Sequence, residues 1–212
     1  IFGVFFGANT AIPHYILWLV IGVFTYGLTS SSVLGGARSI VDGQGLMRSF
    51  RFPRAILPIS NVIGNLLSFG FQFLVIVLVA FASGVGVSQR WLALPLVLAV
   101  HTALNAGGAL VAARLNESFQ DVQQLIPFMF RLLQYTSGVM FSVDRILGTN
   151  NIWLQRLVTY NPLVYIIDMY RWAIMGTTIS PKGVVVATVE AGLLLIFGLR
   201  YFRAAEHRYG RA

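Results

Sequence analysis

The sequence predicts an all-α polytopic membrane protein, and two observations carry this prediction. The chain of 212 residues is 57% hydrophobic and 10% charged, whereas a soluble domain carries roughly 25% charged residues. No Asp, Glu, Lys or Arg occurs within residues 1–37, 55–89 or 91–113. Because about 20 consecutive apolar residues are enough for a helix to cross a bilayer, each of these three runs can hold a spanning helix.

The spans form a single transmembrane domain that covers residues 1–212. Residues 1–8 are apolar but too short to cross a bilayer, so we expect them to be the end of a first spanning helix that begins before Ile1. Polar and charged segments separate the later spans. These later spans are predicted at residues 15–36, 55–83, 91–113, 125–142 and 183–201.

The positive charge of the loops predicts the orientation of the chain. Basic residues mark cytoplasmic loops in a membrane protein, so the net charge of +8 indicates no nucleic-acid partner. We expect the loop at residues 37–54 and the tail at residues 202–212 to be cytosolic. The basic residues on this side are Arg38, Arg48, Arg51, Arg54, Arg114, Arg200, Arg203, Arg208 and Arg211, against Arg90, Arg145, Arg156, Arg171 and Lys182 on the other.

The predicted outer loop at residues 143–182 is too apolar to be a free loop. Its segment at residues 152–175 is mostly apolar, yet it contains an Asn-Pro pair at residues 161–162 and the charged residues Asp168 and Arg171. Irregular backbone at membrane depth has to be buried in protein or line a wet cavity. The pattern fits two re-entrant half-helices that meet at the Asn-Pro pair, or an amphipathic helix on the outer surface.

The sequence contains no catalytic or cofactor motif. A phosphate-binding P-loop needs GxxxxGK followed by Ser or Thr, and the only lysine, Lys182, is not part of one. His14, His101 and His207 lack metal-ligand spacing, and there is no Cys. We therefore expect no catalytic residue, metal or cofactor in this chain, and we predict that His101 is a hydrogen-bonded interior residue.

Aromatic and charged residues inside the spans mark a candidate passage for a substrate. Phe128, Arg131 and Tyr135 recur at helical spacing on one face, which Gly138 and Ser142 extend. Charge inside a membrane is costly and usually functional, so Arg131 either lines a passage or pairs within the bundle.

Four further positions in the spans carry aromatic or acidic side chains. Trp18 and Tyr26 are candidates for an aromatic ladder along which sugar rings slide, whereas Tyr15 and Trp18 also suit an aromatic belt at the membrane interface. We expect Glu190 to pair with an arginine.

Two motifs resemble the membrane subunits of type-2 ATP-binding-cassette exporters, in the branch that exports polysaccharide, O-antigen and teichoic acid. They are FPRAILP at residues 52–58 and NPLVYIIDMYRWAIMG at residues 161–176, with LIPF at residues 125–128 as a third likeness. The motifs occur in the helix order of that family. Two departures are Ala55, where an acidic residue is frequent, and Arg131, where a glutamine is usual.

The resemblance implies six spans per subunit, two copies of the subunit around one pore, and two separate ATPase subunits that bind ATP and Mg²⁺. It also implies a bacterial inner-membrane location and a lipid-linked polysaccharide as cargo. The segment before and within FPR would contact the ATPase, and the re-entrant helices would form an outer gate. The coupling residues are then Val41, Asp42, Gly45, Arg48, Arg51, Phe52, Pro53 and Arg54, and the gate residues are Asn161, Pro162, Tyr165, Asp168, Tyr170 and Arg171.

Other functions remain open at this point. A type-2 exporter of drugs or lipids would have the same fold. A secondary transporter predicts inverted repeats, and an integral membrane enzyme predicts clustered catalytic residues; the sequence displays neither. Within the favoured class, O-antigen, teichoic acid, capsule and galactan are all open as cargo.

Overall fold

The computed structural model describes residues 14–49, 52–119, 121–140 and 152–205, and within these ranges the chain is helical without a β-strand. The predicted end of a first span at residues 1–8 and the tail after residue 205 lie outside them. The helices are α1 (Tyr15–Asp42), α2 (Gln44–Ser49), α3 (Ile56–Ala82), a 3-10 helix (Gln89–Ala93), α4 (Leu94–Ser118), α5 (Val122–Thr136), α6 (Ile152–Thr159), α7 (Pro162–Met175) and α8 (Pro181–Arg203).

Four helical segments in the described ranges are long and apolar enough to cross a membrane. Each overlaps a span that the sequence predicted. About half of the most apolar stretch is buried in α1 and α4, against 17% in α3 and 22% in α8, so α3 and α8 leave most of their apolar surface uncovered by the chain. The four segments are Tyr15–Asp42, Ile56–Ala82, Gln89–Ser118 and Pro181–Arg203.

α1 is longer than the predicted span at residues 15–36, which ended at a Gly-Gly pair. The helix continues to Asp42, and α2 follows, so most of the predicted loop at residues 37–54 is helical. Gly36 serves close packing instead of a helix stop, because a Cβ atom placed there would lie 2.5 Å from Cβ of Ala109. The predicted boundary at residue 36 therefore lies inside α1, while the cytosolic position of residues 37–54 stays a prediction.

α5 ends earlier than the predicted span at residues 125–142. Its last helical residue is Thr136, and Gly138 adopts a left-handed conformation with φ 67°. A glycine in this conformation commonly terminates a helix. Gly138 therefore lies beyond the helix instead of on its face, and Ser142, the other predicted member of that face, lies outside the described residues.

The chain divides into two compact units, and the five longest helices contribute residues to both. In unit 1, α7 is the most deeply buried helix, with nine of its fourteen residues buried. In unit 2, a core cluster consists of Ile40, Leu110, Ala113, Phe202 and Ala205. Unit 1 comprises Ile1–Tyr26, Gly70–Val97 and Leu132–Ala187, and unit 2 comprises Gly27–Phe69, Leu98–Arg131 and Thr188–Ala212.

Candidate functional site

The segment predicted to form the outer gate folds as two helices, α6 and α7, that are separated at residues 160–161. Asn161 caps α7: its side-chain oxygen accepts a hydrogen bond from the backbone N–H of Leu163 at 3.1 Å, and Pro162 occupies the first turn, where its missing N–H leaves no bond unmade. Gly176 ends the helix with φ 75°. The helix break lies where the sequence placed it, while insertion of the two helices into the membrane stays a prediction.

Arg171 of α7 is a buried cation in unit 1, with 2% of its surface exposed. Its Nη2 donates to the backbone oxygens of Gly138 at 3.0 Å, Trp18 at 3.3 Å and Val139 at 3.4 Å. Its Nη1 donates to Oδ1 of Asp168 at 3.4 Å. These five residues are termed the Arg171 clamp, and they join α1, α7 and the end of α5.

The guanidinium of Arg171 also stacks on an aromatic ring. Its Cζ atom lies 3.4 Å from the centre of the Trp18 ring, which is the geometry of a cation–π contact. Gly22, one turn further along α1, leaves the room for this arrangement. A Cβ atom at Gly22 would lie 2.8 Å from Nη2 of Arg171 and 3.1 Å from the backbone oxygen of Val139.

The charge of Arg171 is compensated within the clamp. A buried guanidinium is tolerated when it is paired and hydrogen-bonded. Here the negative ends of three carbonyl dipoles and one carboxylate surround it, and the Asp168 side chain is itself 38% exposed. The planar, multi-donor head of arginine suits this task better than the point charge of lysine. Arg171 therefore has its contacts inside the protein and presents no surface to a passage in this conformation.

A second hydrogen bond ties α7 to the end of α5. Asn161 Nδ2 donates to Oγ of Ser137 at 2.9 Å, and this hydroxyl donates in turn to the backbone oxygen of Leu133 at 2.6 Å. Asn161 and Ser137 are 5% and 1% exposed. One side chain thus caps α7 and holds the residues that follow α5.

The other predicted gate residues lie on or beside the same helix. Tyr165 donates its hydroxyl to the backbone oxygen of Thr159 at 2.9 Å, which links α7 to α6. Tyr170 is buried, with 1% of its surface exposed. The structure therefore brings the six predicted gate residues together on one helix and its N-terminal cap.

The residues predicted to line a passage separate into two groups. Trp18 and Tyr26 are 6% and 5% exposed, and Arg171 covers one face of the Trp18 ring, so neither side chain presents an open aromatic face in this conformation. Phe128 and Tyr135 of α5 are 57% and 56% exposed, and Arg131 is exposed as well. The exposed group is carried by α5, the helix whose end the clamp holds.

The predicted coupling residues lie at the end of α1, in α2 and just after it, within unit 2. Val41, Asp42, Gly45 and Arg48 are exposed. Met47 of α2 packs against the core cluster of unit 2, which anchors this short helix. Pro53 is exposed, Phe52 and Arg54 are half-buried, and Arg51 lies outside the described residues.

Buried polar contacts support the core of unit 2. His101 is fully buried, with its Nε2 2.7 Å from Oγ1 of Thr29, so the prediction of a hydrogen-bonded interior histidine is confirmed. Asn116 donates to the backbone oxygen of Ala37 at 2.9 Å. Sequence reasoning missed a further contact: Arg114 stacks on the ring of Tyr201 with its Cζ 3.7 Å from the ring centre.

Glu190 of α8 differs from its predicted arrangement. Its Oε2 atom is buried and accepts no hydrogen bond from the described residues, so the expected bond from an arginine to this oxygen is absent there. Among all residues that the structure describes, no three His, Asp or Glu side chains are placed to hold a metal ion.

Four apolar helical segments of spanning length in the described residues define a multi-pass membrane protein. The sequence profile described as ABC-2 type transporter matches residues 1–175, and the chain belongs to this family. It is therefore a transport component, and the resemblance drawn from residues 52–58 and 161–176 is confirmed at the level of the family.

Named relatives extend the similarity over most of the chain. An O-antigen export system permease protein RfbA of Klebsiella pneumoniae is 26% identical over 93% of this chain and 75% of its own length. A polysialic acid transport protein KpsM of Escherichia coli is 25% identical over the same shares. The RfbA protein of Myxococcus xanthus is 24% identical over 76% of this chain and 61% of its own length.

Proposed function

We propose that this chain is the pore-forming permease subunit of an ATP-driven exporter that moves a lipid-linked polysaccharide across the bacterial inner membrane. The observation that carries the proposal is the similarity, over 93% of the chain, to proteins named for O-antigen export and for polysialic acid transport. Because these two cargoes differ while both are polysaccharides, the similarity supports the class of cargo and leaves the particular glycan open.

The energy for export is proposed to come from a separate subunit. The chain has no P-loop motif, so ATP and Mg²⁺ are assigned to an ATPase partner. Two copies of the chain and two ATPases would form the exporter. The exposed apolar side chains of α3, among them Leu67, Phe71 and Leu78, suit lipid or a second copy, because the chain itself does not cover them.

The coupling surface is proposed to be the exposed segment from Val41 to Arg48. The excess of arginine in the loops of the same side supports a cytosolic position for this segment and for the C-terminus, where an ATPase is accessible. α2 is short, exposed and anchored by Met47. A displacement of α2 by the ATPase would therefore be transmitted through Met47 to the core cluster of unit 2.

The passage is proposed to include the exposed face of α5. Phe128 and Tyr135 offer aromatic faces on which sugar rings can stack, and Arg131 offers a cation for an anionic group. An amphiphilic cargo with a lipid at one end and sugars along its length needs such a mixed surface.

Depletion of the chain in its native host tests this function. The expected result is that a lipid-linked polysaccharide accumulates in the inner membrane and the mature glycan is lost from the cell surface, and that plasmid-borne chain reverses both effects. A depleted cell with unchanged surface glycan, and with a drug or simple lipid retained instead, would contradict the polysaccharide assignment.

Replacement of Asp42 and Arg48 by alanine is expected to uncouple ATP hydrolysis from export. Both residues are exposed at the proposed ATPase surface, and loss of well-placed interface charges typically weakens an interaction by about tenfold or more. We expect surface glycan to fall by roughly this factor while the protein level in the membrane stays unchanged.

The matched control is Arg203→Ala, which replaces an exposed arginine at the end of α8. This variant is expected to export normally. Full export by the double variant, with wild-type stimulation of the ATPase, would show that the segment is not the coupling surface.

A further inference from the structure

The end of α5 is held to α7 at two separate points. Asn161, before the first turn of α7, donates to Ser137, and Arg171, in its last two turns, donates to Gly138 and Val139. The three consecutive residues after α5 are thus bound by two side chains that lie ten positions apart in the sequence, one at the N-terminal cap of α7 and one near its C-terminal end. All of these atoms belong to unit 1.

The contacts leave little freedom for α7 to move alone. The acceptors of Arg171 at Gly138, Val139 and Trp18 are backbone oxygens, which cannot turn to follow a departing guanidinium. Separation would bare a charge and three carbonyl groups where water is scarce, and unpaired polar groups are costly there. Movement of all three segments together breaks none of these bonds.

We propose that three segments move as one rigid gate body during export, with Arg171 as the positioning residue that joins them. They are α7, residues 132–139, which comprise the last residues of α5 and the three that follow it, and the beginning of α1 at residues 15–22. The proposal rests on the function proposed above, since it concerns an exporter that opens and closes. Motion of α7 is transmitted through Arg171 and Asn161 to α5, the helix that bears Phe128, Arg131 and Tyr135. Arg171 acts through these helices and does not contact the cargo.

A covalent bond between α5 and α7 tests this. The chain has no cysteine, and Ser137 Oγ and Asn161 Nδ2 are 2.9 Å apart, so Ser137→Cys with Asn161→Cys can be joined by oxidation or by a short bifunctional thiol reagent. The assembled permease–ATPase complex is measured in membranes before and after joining. Export by the joined form is expected to stay within about twofold of the reduced form. Loss of export on joining, with recovery in reductant, would overturn the rigid gate body.

The same bond separates positioning from cargo contact. Arg171→Gln in the double-cysteine background is expected to export poorly when reduced and to recover at least severalfold when joined, because the bond restores the tie between α7 and the residues after α5, although not the contact with Trp18. Failure of the joined form to recover would overturn the assignment of Arg171. Should the reduced variants fold poorly, a bridge between Tyr15→Cys and Met175→Cys tests the tie between α1 and α7 with Arg171 in place, because Met175 packs against the cluster of Tyr15 and Trp18; loss of export on joining would again overturn the rigid gate body.

The ATPase rate of the complex is recorded in every sample as a readout that does not depend on the cargo. Wild-type complex that hydrolyses ATP but exports no polysaccharide would refute the proposed function. In that event the ATPase rates of the joined and the reduced forms still decide whether the rigid gate body exists. Equal rates in the two forms support it, and arrest of ATP hydrolysis by joining overturns it.

Discussion

Arg171→Gln is expected to cause the largest loss of stability and of export among single substitutions in unit 1. The variant removes the cation from three backbone oxygens and from Asp168, and it leaves the face of the Trp18 ring uncovered. Loss of the guanidinium leaves three backbone oxygens without this donor, and each buried polar group left unpaired costs about 1–3 kcal/mol. Thermal unfolding of the purified complex in detergent and export in cells measure the two effects.

The conservative variant Arg171→Lys is expected to restore little. Lysine carries the charge but lacks the planar head that reaches several acceptors and stacks on Trp18. Arg156→Gln on α6 is the matched control, because Arg156 is exposed and surface substitutions usually change stability by less than about 0.5 kcal/mol. Equal stability of the Arg171 and Arg156 variants would contradict the clamp.

A pair of glycines on α1 tests the room that the clamp requires. A Cβ atom at Gly22 would lie 2.8 Å from Nη2 of Arg171, whereas one at Gly27 would meet nothing within 4 Å. Gly27→Ala is expected to be neutral or stabilising, since alanine favours a helix by up to about 1 kcal/mol over glycine, and Gly22→Ala is expected to destabilise. Identical behaviour of the two variants would show that the close contact at Gly22 has no energetic weight.

Gly107→Ala is expected to disrupt the packing of α4 against α8 in unit 2. A Cβ atom at Gly107 would lie 2.6 Å from the backbone carbon of Leu194 and 2.7 Å from the backbone nitrogen of Leu195. Backbone atoms cannot rotate away as the end of a side chain can, so the helices must separate. Overpacking of this kind typically costs about 1–3 kcal/mol.

Two further glycine variants complete this measurement. Gly198→Ala should behave like Gly107→Ala, because its Cβ atom would lie 2.7 Å from the backbone oxygen of Gly107. Gly192→Ala on α8 would meet nothing within 4 Å and is expected to unfold at the wild-type temperature or above it. A wild-type unfolding temperature for Gly107→Ala would contradict the close approach of the two helices.

Local signals predicted much of the fold. Long uncharged runs located the helices because a bilayer requires about 20 apolar residues in succession. The Asn-Pro pair at residues 161–162 located the start of α7, since Asn accepts from the first free N–H groups and Pro fits the first turn. Both features depend only on residues that are close together in the sequence, so the sequence alone is sufficient to predict them.

Helix ends marked by glycine were predicted less well, because glycine has two uses. Gly36 was interpreted as the end of α1, but it lies inside the helix and lets α1 approach Ala109. Gly138 was interpreted as a member of a helix face, but with φ 67° it lies beyond the end of α5. A glycine that stops a helix and one that admits a neighbouring helix look alike without the tertiary structure.

The clamp could not be predicted, because its members are far apart in the chain. Arg171 and Asp168 were recognised as charges in an apolar segment. The partner of Arg171 at Trp18 lies 153 residues away, and its acceptors are backbone oxygens, which every residue possesses. Trp18 was consequently assigned to a passage or to the membrane interface, whereas its ring is covered by Arg171.

Transport by the purified complex tests the central claim most directly. The chain and its ATPase partner are reconstituted in vesicles with a lipid-linked polysaccharide on the side of the ATPase, and the glycan that becomes accessible to an added glycosidase on the other side is measured. The account predicts that glycan crosses only when ATP and both proteins are present, and that the chain alone hydrolyses no ATP. Crossing without ATP or without the partner, or ATP turnover by the chain alone, would contradict it.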